Sequence, residues 1–223
     1  MIKAGFARLD ITPPLGNLMS GYFYERRAVG VRDPLQANAL AFGNGTDTAV
    51  IVACDVAGIA KCYADELRAL ISQKIGIPVC NVMLCALHQH TSVSMTPKGS
   101  HWGIEDDVYW RMFYRKIMDV AVMAVADMSE ARVFTAAQKT ATEIAFVRRY
   151  WMPDGTVATN PSTRGPRAVC RCDESDNVVR VIRFAREGKP DIAYVNFSTH
   201  PDVVSGCEFS ADWLGFTRRF VEM

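Results

Sequence analysis

The feature that most constrains the fold is an unbroken apolar run at residues 81–87. A run without polar alternation is typical of a β-strand that is covered on both faces, as in α/β proteins. Apolar residues at helical spacing precede it at residues 64–74, and Gly76 ends that predicted helix. Residues 106–128 have the pattern of a second, longer helix. The sequence therefore predicts helices packed against buried strands.

Further segments have the composition of strands, at residues 4–11, 35–42, 48–54, 132–140, 177–184 and 192–198. The second and third are joined by Gly43-Asn44-Gly45-Thr46-Asp47, which is typical of a hairpin turn. Residues 150–175 are rich in Pro, Gly, Arg and Asp and are predicted to form a long loop. The expected fold class is α/β, with mixed β-sheets, covering helices and functional residues at the C-terminal ends of strands.

Charge and composition exclude several classes of partner. The chain has 25 Lys and Arg against 24 Asp and Glu, so its net charge of +1 gives no electrostatic basis for binding nucleic acid. No apolar stretch is long enough to span a bilayer, so no integral membrane segment is expected. The first residues lack a secretory signal, and the seven cysteines suit a reducing compartment. The predicted location is the cytoplasm, unless a leader is removed upstream.

Histidines follow two of the predicted strands. His88 and His90 come directly after the apolar run, and His200 follows residues 192–198. In an extended segment residues i and i+2 share a face, and strand ends of an α/β fold meet at one crevice. Neutral imidazole is the commonest metal ligand in proteins, and zinc accepts two or three of them readily. A metal site is one interpretation, but spacing alone favours a chance pair with His200 capping a strand. His101, in a polar loop, is expected at the surface or beside substrate.

Asp55 directly follows the strand predicted at residues 48–54. A carboxylate at a strand end commonly caps the turn that follows, and this is its expected role. The alternative is that it supports one of the histidines.

Four segments, in this order, resemble the neutral/alkaline (non-lysosomal) ceramidase family and its small bacterial relatives. They are AGFARLDITPPLG, ALHQHTS, FVRRYWMPDGTVATNP and VNFSTHPDVVSG. The resemblance spans essentially the whole chain but corresponds to the first part of that family's catalytic domain. We therefore expect residues 1–223 to be a ceramidase-like N-terminal catalytic region that is incomplete at its C-terminus.

The resemblance implies a zinc-dependent amidase that cleaves a linear amide (N-acyl) bond with metal-activated water. The family releases a fatty acid and sphingosine from ceramide, so a sphingolipid or other lipid-like substrate is expected. By position, His88 and His200 match zinc ligands of the family. His90 matches a catalytic residue beside the metal, and Arg148 an arginine that points into the active site. The family's glutamate and tyrosine ligands would lie after Met223.

The sequence also departs from the family pattern. The family motif HTHSGPG reads HQHTSVS from His88, without its glycines, and the asparagine before the family's arginine is Val147 here. Three functions remain open: a zinc amidohydrolase, a non-catalytic fragment without a complete metal site, and a metallo-esterase or peptidase using the same histidines. The expected partner is a small-molecule N-acyl amide or lipid-like substrate, and a homo-oligomer is compatible with the sequence. Family members are often secreted, whereas this chain shows no signal peptide.

Overall fold

The computed structural model describes residues 1–100 and 103–223, which divide into two compact units. The first unit comprises Met1–Val133, Phe184–Ile192 and Pro201–Met223. The second unit comprises Phe134–Arg183 and Ala193–His200. His101, weighed above as a surface or substrate-side residue, lies outside the described residues. That residues 1–223 form one catalytic region stays a prediction.

The described residues form three α-helices, one 3-10 turn and sixteen strands, many of which are very short. The helices are α1 (Lys61–Ile75), α2 (Asp107–Ala126) and α3 (Asp212–Val221), and the 3-10 turn is Val79–Asn81. The strands are β1 (Lys3–Asp10), β2 (Leu18–Met19), β3 (Arg26–Arg27), β4 (Gly30–Val31), β5 (Gln36–Gly43), β6 (Thr48–Cys54), β7 (Gly58–Ile59), β8 (Val82–Ala86), β9 (Ser94–Met95), β10 (Ser129–Lys139), β11 (Arg149–Trp151), β12 (Val157–Thr159), β13 (Cys170–Arg171), β14 (Val178–Arg186), β15 (Ile192–Asn196) and β16 (Glu208–Phe209).

Seven of these strands form a mixed sheet in the order β15-β14-β10-β1-β5-β6-β8. β1 and β5 pair antiparallel along their full length, from Lys3 opposite Gly43 to Asp10 opposite Gln36. β5 and β6 form an antiparallel hairpin, and β8 adds in parallel to β6. The predicted α/β class with mixed β-sheets is confirmed.

Local signals in the sequence account for the ends of these elements. In the β5–β6 turn, the Asn44 side-chain oxygen accepts hydrogen bonds from the backbone N–H groups of Thr46 and Asp47. α1 ends where Gly76 adopts the left-handed conformation and donates its N–H to the Ser72 carbonyl. α2 begins at Asp106, whose carboxylate accepts the N–H groups of the second and third helical residues.

The core of the first unit forms between α2 and the central strands. Tyr109, Phe113 and Ile117 project from one face of α2 and are almost completely buried. β1 approaches this helix so closely that a Cβ atom at Gly5 would lie 2.1 Å from the Ala124 carbonyl oxygen. Glycine at this position is therefore required by the packing of strand on helix.

The apolar run at residues 81–87 is less buried than its composition predicts. It contains β8, which lies at one edge of the sheet order. Val82 is buried, but the side chain of Met83 is 54% exposed. The prediction of a strand covered on both faces is therefore wrong, because a short apolar run does not distinguish an edge strand from a central one.

The predicted loop at residues 150–175 is also wrong in part, because it contains β12, β13 and most of β11. These three short strands form a separate antiparallel sheet in the order β12-β11-β13. None of the described helices has the length and apolar character that crossing a membrane requires.

Candidate metal centre

His88 lies just beyond the end of β8 in a backbone conformation that is rare for a residue with a side chain. Its φ of 72° is in the left-handed region, which costs about 1–3 kcal/mol for a non-glycine residue. Hydrogen bonds on both sides hold the segment in place. The Leu87 N–H donates to the Cys54 carbonyl at 3.0 Å, and the His88 N–H donates to the Val56 carbonyl at 2.9 Å. The backbone at His88 thus departs from the extended continuation that the sequence predicts.

The imidazole of His88 is tied to the backbone through one nitrogen. Its Nδ1 lies 2.6 Å from the carbonyl oxygen of Ala57. Because a carbonyl can only accept, this bond places the ring proton on Nδ1 and the ring's lone pair on Nε2. A hydrogen bond from one ring nitrogen to a backbone carbonyl is the usual support for a histidine that binds metal through the other.

Between the two histidines, Gln89 is completely buried and is anchored by Asp55. The Gln89 Nε2 donates to Asp55 Oδ1 at 2.6 Å. The same carboxylate accepts the Gln36 N–H at 2.8 Å and two guanidinium nitrogens of Arg218 at 3.1 and 2.5 Å. Burial raises the pKa of the Asp55 carboxyl, and the guanidinium opposes this shift. Asp55 therefore holds Gln89, the residue between the two histidines. None of the hydrogen bonds described for Asp55 joins it to the imidazole of His88 or His90.

His90 is buried and held through its backbone and its ring. Its N–H donates to the Pro201 carbonyl at 3.2 Å, and its carbonyl accepts from the guanidinium of Arg26 at 2.5 Å. Its Nδ1 lies 3.5 Å from a carboxylate oxygen of Asp202. The rings of His90 and His88 meet edge to face with centroids 5.1 Å apart. The sequence-predicted pair is therefore a real neighbouring pair.

Tyr22 packs against the ring of His90 and also binds Asp202. The two rings meet edge to face at 5.6 Å, and the Tyr22 hydroxyl donates to Asp202 Oδ1 at 2.7 Å. This hydrogen bond raises the pKa of Tyr22 to about 12. Gly21, with φ of 107°, brings the backbone so close that a Cβ there would lie 2.4 Å from the His90 ring. Only glycine fits at this point of the chain.

Arg148 and His200, both in the second unit, are neighbours. A guanidinium nitrogen of Arg148 lies 3.5 Å from Nδ1 of His200, at the outer limit of a hydrogen bond. Arg148 is exposed and His200 is half-buried. Arg148 and His200, which the sequence predicts as site residues, therefore lie next to each other in the second unit.

His88, His90 and His200 each offer an imidazole nitrogen that could serve as a metal ligand. Along the chain, His200 is joined by one peptide bond to Pro201, whose carbonyl accepts the His90 N–H. Consecutive Cα atoms are only about 3.8 Å apart. Imidazole donors suit zinc, copper, nickel and iron, so the donor set fits the zinc that the resemblance implies without selecting it.

Sequence reasoning missed several residues that support the histidines, namely Gly21, Tyr22, Arg26, Gln89 and Asp202. For Asp202, the hint in the sequence was its position two residues after the candidate ligand His200. The signal for Gly21 and Tyr22 was a Gly- and Tyr-rich stretch between β1 and β5. Neither signal specifies a partner, because the contacts join residues far apart in the chain.

The second unit also carries an open cleft of about 880 Å³. Its lining mixes cationic side chains, such as Lys139 and Arg171, with anionic ones, such as Glu143 and Asp173. Hydrogen bonds from Ser175 and Arg171 lower the pKa of Glu143. None of the sequence-predicted site residues lines this cleft.

Two solved structures share the fold of the chain. One is the neutral ceramidase from Pseudomonas aeruginosa, with a TM-score of 0.72 and 18% identity over 96% of this chain and 35% of that one. The other is a ceramidase complexed with C2, with a TM-score of 0.71 and 17% identity over 96% of this chain and 34% of that one. This chain therefore spans about a third of the length of each. The resemblance noted from the sequence is confirmed as a shared fold.

No protein-family model matches the chain. No curated protein matches it either.

Proposed function

We propose that this chain carries the metal-binding histidines of a hydrolase that cleaves a linear amide (N-acyl) bond. The observation that carries the proposal is the group of three imidazoles on a chain with the ceramidase fold. The Nδ1 bond of His88 to a backbone carbonyl supports it further, because it prepares Nε2 to bind a metal. The expected substrate is an N-acyl amide of lipid-like character, such as a sphingolipid, as the name of the matched structures suggests.

In this proposal His88 and His200 are zinc ligands and His90 is the acid–base residue beside them. A bound zinc ion would lower the pKa of a water molecule toward about 7 and polarise the amide carbonyl. The neutral imidazole of His90 would accept a proton and deliver it to the departing amine. Arg148 would hold the anionic oxygen that develops on the carbonyl through charge-assisted hydrogen bonds.

Metal analysis of the purified protein tests the binding part of the proposal. After zinc loading and gel filtration, we expect close to one zinc per chain, measured by mass spectrometry of the metal. His88→Ala and His200→Ala should each lose most of it. His101→Ala is the matched control and should retain it, because the resemblance does not place His101 at the metal. A zinc-loaded sample that keeps no metal would overturn the proposal.

The bond specificity needs a separate assay with the zinc-loaded protein. Short-chain N-acyl amides and the matched esters are compared by release of the fatty acid. Faster hydrolysis of the amide supports the proposal. Hydrolysis of the ester alone favours the metallo-esterase, and no hydrolysis by a protein with bound zinc favours a non-catalytic fragment. His90→Ala is expected to bind zinc and to lose activity about 10²- to 10⁴-fold.

A further inference from the structure

In the first unit, one carboxylate lies between a tyrosine hydroxyl and the imidazole of His90. We propose that Asp202 is a positioning residue that keeps the proton of His90 on Nδ1 and so leaves Nε2 as the basic nitrogen. We further propose that the hydroxyl of Tyr22 holds Asp202 in place for this task. The inference rests on the proposed function for the use made of His90, but the tautomer itself is a property of the chain without substrate.

The arrangement of donors and acceptors supports this assignment. The two oxygens of Asp202 face different partners: Oδ1 accepts from the Tyr22 hydroxyl at 2.7 Å, and Oδ2 lies 3.5 Å from His90 Nδ1. An ionised carboxylate can only accept hydrogen bonds. A negative charge at this distance from the buried ring of His90 favours a proton on the facing nitrogen. His90 therefore becomes an acceptor at Nε2, which is the nitrogen that an acid–base role requires.

Arg26 holds two groups that surround the ring of His90. Arg26, only 5% exposed, donates to the His90 carbonyl at 2.5 Å and to the Ser20 carbonyl at 2.8 Å. The same guanidinium lies 3.9 Å from the centroid of the Tyr22 ring. This cation–π contact fixes the tyrosine whose hydroxyl binds Asp202. A single buried arginine thus holds both the backbone of His90 and the ring beside it.

The alternative is that Asp202 serves only to anchor the chain after His200. An anchor of that kind would change the free energy of unfolding when it is removed, but it would not determine which nitrogen of His90 carries the proton. The tautomer therefore separates the two roles.

The experiment uses the full chain labelled with ¹⁵N at its four histidines, in two-bond ¹H–¹⁵N correlation spectra of the metal-free protein at constant pH. A His90→Gln variant assigns the His90 signals. We expect the Nδ1–H tautomer in the unaltered protein and a shift of population toward Nε2–H in Asp202→Ala. Tyr22→Phe should give a smaller shift in the same direction. Tyr24→Phe, at the exposed ring stacked on Tyr22, should give none.

Two results would overturn the proposal: an Nε2–H tautomer in the unaltered protein, or an unchanged tautomer in a folded Asp202→Ala variant. Should Asp202→Ala fail to fold, Asp202→Asn replaces it. The amide has no charge, so the preference for Nδ1–H should weaken measurably, and an unchanged spectrum counts against the proposal.

The spectra need neither zinc nor substrate, so their outcome is independent of the metal analysis. A chain that binds no zinc but shows the predicted tautomer contradicts the proposed function and leaves this inference standing. In a chain that hydrolyses the amide, Asp202→Ala should lower kcat about 10- to 100-fold with KM unchanged. An effect on KM alone would contradict a positioning role.

Discussion

The two units of the chain differ sharply in how they are held together. In the first unit, α2 and the central strands bury a continuous apolar core. In the second unit, the fully buried residues among those described are Ala145 and Asn177. Burial of apolar surface is the dominant stabilising contribution to folding, so the second unit must draw its order from other interactions. His88 and His90 thus belong to a unit with a well-packed apolar core, whereas His200 and Arg148 belong to a unit with little core of its own.

Hydrogen bonds at Asn177 show what replaces a core in the second unit. Its side-chain oxygen accepts the N–H groups of Ile144 and Ala145, and its amide nitrogen donates to the Ala145 carbonyl. One buried amide therefore satisfies three backbone groups of a neighbouring segment. Hydrogen bonds of this kind order a local segment but add little to the free energy of global unfolding.

The largest expected difference between the units comes from truncating one phenylalanine in each. Phe113→Ala, in the core of the first unit, should lower the free energy of unfolding by about 3–5 kcal/mol. Phe134→Ala, at a side chain that is 50% exposed in the second unit, should cost less than about 1 kcal/mol. Urea unfolding followed by circular dichroism measures both. Equal costs would show that the second unit is more tightly packed than the structure indicates.

Asp55 should give the next largest effect, and this effect should reach the histidines. Asp55→Asn leaves the half-buried Arg218 without its counter-charge and is expected to cost about 3 kcal/mol in the free energy of unfolding. Since Gln89 loses a charged acceptor, zinc affinity should also fall, by about 10- to 100-fold. Competition with a chelator measures the affinity. Asp119→Asn, at an exposed carboxylate on α2, is the control and should change neither quantity.

Asp127 provides a pH-dependent contribution in the first unit. Partial burial raises its pKa, but hydrogen bonds from Lys189, the Phe6 N–H and Arg186 outweigh this and lower the pKa to about 2. Because the folded pKa lies below the usual 3.8, its stabilisation is complete above about pH 4 and is lost as the pH falls toward 2.

Asp127→Asn should therefore cost about 1–2 kcal/mol at neutral pH, after allowance for solvent screening. The difference from the unaltered protein should shrink as the solution is acidified from pH 4. Thermal unfolding at a series of pH values measures it. A difference that stays constant down to pH 2 would contradict the assignment.

The smallest effect is expected from Asn177→Ala, and it should be local. Loss of its amide should lower protection of the Ile144 and Ala145 N–H groups against hydrogen exchange by about 1 kcal/mol. Global unfolding, measured in urea, should change little. Gln138→Ala, at an exposed amide side chain of the same unit, is the control. A large fall in global stability would show that the second unit unfolds together with the first.

The sequence predicted those features whose causes lie within a few residues. The hairpin turn at Asn44, the glycine end of α1 and the capping of α2 by Asp106 all follow from local chemistry. The pairing of His88 with His90 was predicted for a partly wrong reason, since extended geometry was assumed. The left-handed backbone of His88 depends on hydrogen bonds to residues about 30 positions earlier, so local propensity carries no signal for it.

The parts of the site that the sequence missed are those that depend on distant contacts. The bond from Tyr22 to Asp202 joins residues 180 positions apart, and no spacing rule connects them. The roles predicted for His88, His200, His90 and Arg148 came from family resemblance, and the ligand and catalytic assignments stay predictions until the metal analysis and the activity assays are done.

The bond between Asp55 and Arg218 has a consequence for the order of events during synthesis. The two residues are 163 positions apart, so a nascent chain that has just exposed its His-Gln-His segment still lacks the arginine that neutralises Asp55. Until α3 emerges from the ribosome, the carboxylate that anchors Gln89 lacks that counter-charge. We therefore expect the His-Gln-His segment to stay mobile until then. Zinc supplied before α3 has emerged would therefore meet an unfinished site, and metal capture is expected to follow the emergence of α3.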